Sequence, residues 1–171
     1  TPSRRHPEYW GGNIPWMGIR DAKAHHGRII DATEEYTNDL GIANSSARLL
    51  PARTVCLSRT ASVGYVVVMG REMATSQDFV NWICGDELDP DFLQYLFIAE
   101  GDGLLRFASG AVHQTIYFPE VKAFHVCIPP LHDQRRIVAI LDDAFEAIAT
   151  AKANAEKNLR NAREVFDSFL D

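Results

Sequence analysis

Along the last forty residues, apolar and small side chains recur at alternating steps of four and three. The series runs Ile137, Leu141, Ala144, Ile148, Ala151, Ala155, Asn158, Ala162, Val165 and Phe169. This spacing predicts one long helix carrying a heptad seam. A lone helix cannot bury so narrow a stripe, so the pattern also predicts a partner helix. Ala144, Ala151, Ala155 and Ala162 let that partner come close. Asn158 is the one polar seam position, and a polar residue there fixes register at a cost in stability. A second stripe, Leu159, Phe166 and Leu170, is left uncovered by a single partner.

Upstream the pattern changes to short runs. Residues 14–17 read as a strand after the turn Gly11-Gly12-Asn13. Residues 20–26 are polar and read as a loop or one helical turn. Residues 34–40 read as a short helix closed by Gly41. Residues 54–58 and 65–69 are β-rich runs, the second fully apolar and so expected to be buried on both faces. A small-residue loop, 59–64, joins them. Further strands are expected at 79–83, 113–118 and 124–128, and a core helix at 91–99. Glycines bound a loop at 101–110. Pro129-Pro130 ends the last strand, and the long helix starts near Asp133, whose charge suits a helix N-terminus. The fold class is therefore α+β: a globular domain of short mixed strands over 1–131, then a coiled-coil helix over 132–171.

Composition narrows the classes. With 171 residues, the chain is one domain plus an extension. Cys56, Cys84 and Cys127 are far apart in apolar runs, which argues against disulfides and zinc and predicts buried thiols in a reducing cytoplasm. No signal peptide or membrane span is expected. The chain opens on Thr1 rather than methionine, as expected of a fragment or of a chain lacking its start. The phosphate-binding glycine motifs, the zinc-protease motif and the nucleophile elbow are all missing. His25-His26 read as solvated loop residues. The expectation is a non-catalytic protein without cofactor or metal.

The net charge is −6, yet the charge is unevenly spread. No acid lies between Asp39 and Glu72, a stretch holding Arg48, Arg53, Arg59 and Arg71. None lies between Asp102 and Glu120, where Arg106 and His113 stand. If these loops meet on one face, that face can follow phosphates despite the acidic total.

Several motifs occur in a telling order. They are Tyr9-Trp10-Gly11-Gly12-Asn13-Ile14-Pro15-Trp16, then Ser46-Ala47-Arg48-Leu49-Leu50-Pro51, then Val55-Cys56-Leu57-Ser58-Arg59-Thr60-Ala61-Ser62-Val63-Gly64. Thr75-Ser76-Gln77 follows, and Ile128-Pro129-Pro130-Leu131-His132-Asp133-Gln134-Arg135-Arg136-Ile137-Val138 forms the junction. With the helical tail attached, the set resembles one half of a type I restriction–modification DNA specificity subunit. The family usually has Glu where Asp133 stands and Gly where Arg53 stands. The resemblance implies a subunit that binds duplex DNA, catalyses nothing and holds no cofactor. It would direct a methyltransferase (modification) subunit, which carries S-adenosylmethionine, and a restriction subunit. One head and one helix imply a half-subunit that forms a homodimer through an antiparallel coiled coil, with the second stripe docking the modification subunit.

Within that reading the DNA-contact candidates follow from side-chain chemistry. Arg59 suits a guanine or a phosphate, and Gln77 suits adenine. Thr60 and Ser62 suit phosphates, as do Arg20 and Lys23 in their polar segment. Arg106, Ser109, His113 and Gln114 belong to a glycine-flanked loop suited to entering a groove. Plainer roles compete at each position: surface ion pairs for the arginines, turn caps for the hydroxyls, a loop-locking amide for Gln77. Trp10, Trp16 and Trp82 read as core. The rival function is a coiled-coil assembly adaptor that never touches DNA, which the acidic charge favours and the motif order opposes.

Overall fold

The computed structural model describes residues 1–60, 62–110 and 114–169. The elements are β1 (Trp10–Met17), α1 (Ile19–Ala24), β2 (Ile29–Ile30), β3 (Glu35–Thr37), α2 (Asp39–Ala43), β4 (Val55–Ser58) and β5 (Val66–Met69). They continue with β6 (Ala74–Thr75), β7 (Phe79–Trp82), α3 (Pro90–Glu100), β8 (Ala108–Ser109), β9 (Thr115–Ile116), α4 (Phe118–Lys122) and α5 (Leu131–Asp167). Short 3-10 turns occupy Pro7–Tyr9 and Gly101–Phe107. The chain is thus α+β, with two compact units, Thr1–Gln134 and Arg135–Asp171. Among the described residues no helix is long and apolar enough to cross a membrane.

A mixed sheet ordered β2-β5-β4-β7 forms the centre of the first unit. All four residues of β4 and all four of β5 are buried. Their alternation serves two cores, because successive side chains point to opposite faces. Cys56, Val67 and Met69 pack with Met17, Ile30, Met73 and Phe79 on one face. Val55, Leu57, Val66 and Val68 pack with Leu93, Phe97, Leu104 and Ile116 on the other. That double burial explains why the runs look uniformly apolar in sequence. A second sheet, β3-β1-β6, packs Ile14, Trp16 and Ala74. The third is the β8–β9 hairpin.

Three expectations change. Residues 34–40 are not one helix: β3 pairs antiparallel with β1, and Asn38 then caps α2 by accepting from the Gly41 amide. Buried Thr37 donates its hydroxyl to the Tyr9 carbonyl at 2.7 Å, so sheet pairing overrides the local helical pattern. Gly41 closes nothing: it sits inside α2, where a Cβ would lie 2.6 Å from the Tyr9 carbonyl oxygen. Residues 124–128 form no strand, since Phe124 packs into the second core while Val126, Cys127 and Ile128 are exposed. The thiols also separate: Cys56 is buried, Cys84 half-buried and Cys127 exposed. The tryptophans, by contrast, pack as core: Trp16 is fully buried, and half-buried Trp10 and Trp82 lie against the buried clusters.

The long helix opens at Leu131, two residues before the expected start, with Asp133 in its first turn. Gln134 is fully buried and locks that turn into the first unit. Its Oε1 accepts from the Asp89 amide at 2.8 Å, and its Nε2 donates to the carbonyls of Glu87 and Pro129, each at 2.8 Å. Asp89 in turn caps α3 through the amides of Asp91 and Phe92. In the helical unit the large seam residues stand open, Ile148 at 61% and Phe169 at 83% exposure, with Leu141 half-buried. Leu159 and Phe166 of the second stripe are also exposed, and Leu170 lies outside the described residues.

Candidate nucleic-acid interface

The turn after β6 gathers candidates from three parts of the sequence. Gln77 sits in that turn, exposed, with its side-chain oxygen accepting from the Thr1 hydroxyl. It forms a ridge between two depressions. Thr1 and Ser76 line both of them as well.

The first depression holds Arg4 and Arg20 but also Asp21, Glu34, Glu35 and Asp78. Arg4 is committed there: it binds Glu35 through both terminal nitrogens at 2.5 Å and lies 3.8 Å from the Trp10 ring centroid. The Arg4 hydrogen bond outweighs burial, and with the charges of Arg4 and Arg20 it holds the Glu35 carboxyl below the usual carboxylate range. Arg20 projects from α1 beside exposed Lys23. Buried Asp21 fixes that helix by accepting from the amides of Gly18 and Glu34 at 2.9 and 2.8 Å. With four carboxylates around two arginines, this side does not favour phosphate.

The second depression is the opposite. Arg48, Arg59, Thr75, Gln77, Asn81 and Phe118 line it, and no carboxylate does among the described residues. It is where the acid-free stretch of sequence folds together. The two other arginines of that stretch lie outside its lining. Arg53 pairs with Asp91 at 2.5 Å, and Arg71 is exposed elsewhere.

Arg59 is only half-buried, yet its guanidinium serves the protein. Nη2 donates to the Gln77 carbonyl at 3.0 Å and Nη1 to the Ile116 carbonyl at 3.3 Å. Its main-chain N–H donates to Asp78, and its carbonyl accepts from Ile116. Nε is buried with no partner among the described residues, and the Phe118 ring centroid lies 5.0 Å from the guanidinium. Thr60 bridges Thr115, which brings the loop after β4 against the β8–β9 hairpin. Ser62 is half-buried, its carbonyl accepting from the Ser58 hydroxyl. Ser109 in β8 and Gln114, directly before β9, are exposed, while His113 lies outside the described residues.

Arg106 does not join this group. It pairs with Glu100 at 3.0 Å and borders an apolar cavity lined by Trp82, Phe97, Phe107 and Phe124. Arg48 and Asn81 were not singled out from sequence as contacts. The acid-free stretch pointed to Arg48, whereas nothing local marked Asn81, which reaches the depression through β7. No group of three or more potential metal ligands occurs among the described residues.

Residues 1–159 match the family described as "Type I restriction modification DNA specificity domain". The "Type I restriction enzyme MjaIX specificity subunit" of Methanocaldococcus jannaschii is 28% identical over all of this chain and 40% of its own length. The "Type I restriction enzyme EcoR124I/EcoR124II specificity subunit" of Escherichia coli is 28% identical over 83% of this chain and 36% of its own. The chain therefore spans about two fifths of the relatives it matches. Among solved structures, a chain of a type I R-M system superposes with a TM-score of 0.72 over 92% of this chain and 37% of its own. The HsdS subunit from Thermoanaerobacter tengcongensis gives 0.63 over 83% of this chain and 32% of its own. Both are 20% identical, and they establish the fold.

Proposed function

Because the chain belongs to the type I restriction–modification DNA specificity family, we propose that it reads one half of a split duplex DNA target. In this reading it is a non-catalytic address, working in the cytoplasm without a cofactor of its own. It brings a DNA methyltransferase subunit to the site, and with it a restriction subunit. Two copies pair through the heptad seam of α5 as antiparallel helices, which sets two recognition units at opposite ends of the pair. The single observation that carries the reading is the family match, which runs unbroken from the recognition unit into the helix. The carboxylate-free depression beside Gln77 and Arg59 supports it, since such a surface tolerates phosphates on a protein whose net charge is −6.

Phosphate neutralisation supplies most non-specific affinity, so the isolated acidic chain is expected to bind DNA weakly. The modification subunit adds charge and clamps the duplex. The test is a mobility-shift titration of the chain together with its modification subunit at physiological salt. One selected duplex should be retained in the presence of excess random competitor, and the chain alone should shift little. Equal retention of selected and random DNA would replace this reading with that of an assembly adaptor.

A further inference from the structure

We infer that Arg59 is a positioning residue rather than a DNA contact, and that Gln77 and Gln114 are the adenine-reading side chains it sets in place. The inference rests on the DNA-recognition reading above. The two terminal nitrogens of one planar group hold the Gln77 carbonyl, at 3.0 Å, and the Ile116 carbonyl, at 3.3 Å. A turn and a strand that lie far apart in sequence are thereby fixed within the span of a single guanidinium. Main-chain bonds repeat the link: the Arg59 N–H to Asp78 and the Ile116 N–H to Arg59, at 2.8 and 2.9 Å. The Phe118 ring borders the guanidinium and Nε is sealed from solvent, so the half-buried group is braced by the protein where it lines the depression.

What these bonds position is exposed and has the right chemistry. Gln77 stands on the ridge, and Gln114 directly precedes β9, about 7 Å along the strand from Ile116. The guanidinium thus holds the backbone of Gln77 directly and that of Gln114 through Ile116, two residues further along the chain. A glutamine amide pairs bidentately with adenine, accepting from N6 and donating to N7. The Thr1 hydroxyl occupies only one lone pair of the Gln77 oxygen and leaves its NH2 available. The expected half-site therefore contains two A·T pairs read by this pair of amides.

The test uses the full chain with its modification subunit, a pool of randomised duplexes and a salt series. Gln77→Ala and Gln114→Ala should each relax preference at one A·T pair, by about 5- to 150-fold. Arg59→Lys and Arg59→Ala should relax both pairs together while the slope of affinity against salt stays unchanged. A loss of about one unit of slope with preference intact would make Arg59 a phosphate contact and overturn the inference. Relaxation at a single pair on Arg59 substitution would make it a base reader and overturn it too, as would an unchanged profile in either glutamine variant. Hydrogen exchange in Arg59→Ala gives a readout independent of DNA: amides at 76–78 and 114–116 should speed up together, and unchanged exchange there contradicts the positioning role. If the unsubstituted complex shows no preference at all, the recognition reading fails instead, and that outcome is visible before any variant is made.

Discussion

Two side chains carry more of the structure than their neighbours. Gln134 uses three hydrogen bonds to join the first turn of α5 to the 87–89 turn and, through Asp89, to the start of α3. Gln134→Ala leaves a buried amide and two carbonyls without partners, so a loss of about 2–3 kcal/mol in urea denaturation is expected. Arg53 is the other. Its φ of 67° is left-handed, and it is the only non-glycine with positive φ among the described residues. Glycine adopts that angle freely, whereas a Cβ is disfavoured in it. Both Arg53→Gly and Arg53→Ala lose the Asp91 ion pair, so comparing them isolates the backbone. Arg53→Gly should be the more stable by about 1 kcal/mol, read as a higher urea midpoint. Equal midpoints would mean that the turn carries no strain.

At the scale of elements, the proposed pairing rests on the heptad seam of α5. Apart from half-buried Leu141, its seam residues are exposed in the single chain, which makes them cheap to change there and costly to change in a pair. Leu141→Asp together with Ile148→Asp should abolish dimers in sedimentation at micromolar concentration, because unpaired carboxylates, two from each chain, would be buried at the seam. A variant that stays dimeric would remove the seam from the account. The elements legible in the sequence were those whose pattern is set by strong periodicity or by burial on both faces: β4, β5, β7, α3 and α5. Those misread depended on partners distant in sequence. Residues 34–40 pair with β1 and are held by the Thr37 bond to Tyr9, which no local window contains. Residues 124–128 look like a strand in composition, yet no neighbouring strand pairs with them. Exposed Cys127 belongs to that same segment.

For the whole molecule, the arginine-bearing, acid-free stretch was visible in sequence, and the structure folds part of it into one carboxylate-free depression. What stayed hidden was the division of labour within it. Arg59 has the chemistry of a DNA contact, and its guanidinium bonds to the Gln77 and Ile116 carbonyls join parts of the chain that no local window contains. Arg106 groups with the contacts by its loop in sequence, and in the structure it pairs with Glu100 beside the apolar cavity. The central claim is that this chain gives a modification complex its address. If two identical recognition units pair with two-fold symmetry, as proposed, the address is a palindromic split site. The direct measurement is genome-wide mapping of adenine methylation in cells expressing the modification subunit with and without this chain. The account predicts methylated adenine in one palindromic split motif only when the chain is present. Methylation that is the same without the chain, or that follows no shared motif with it, would contradict the account.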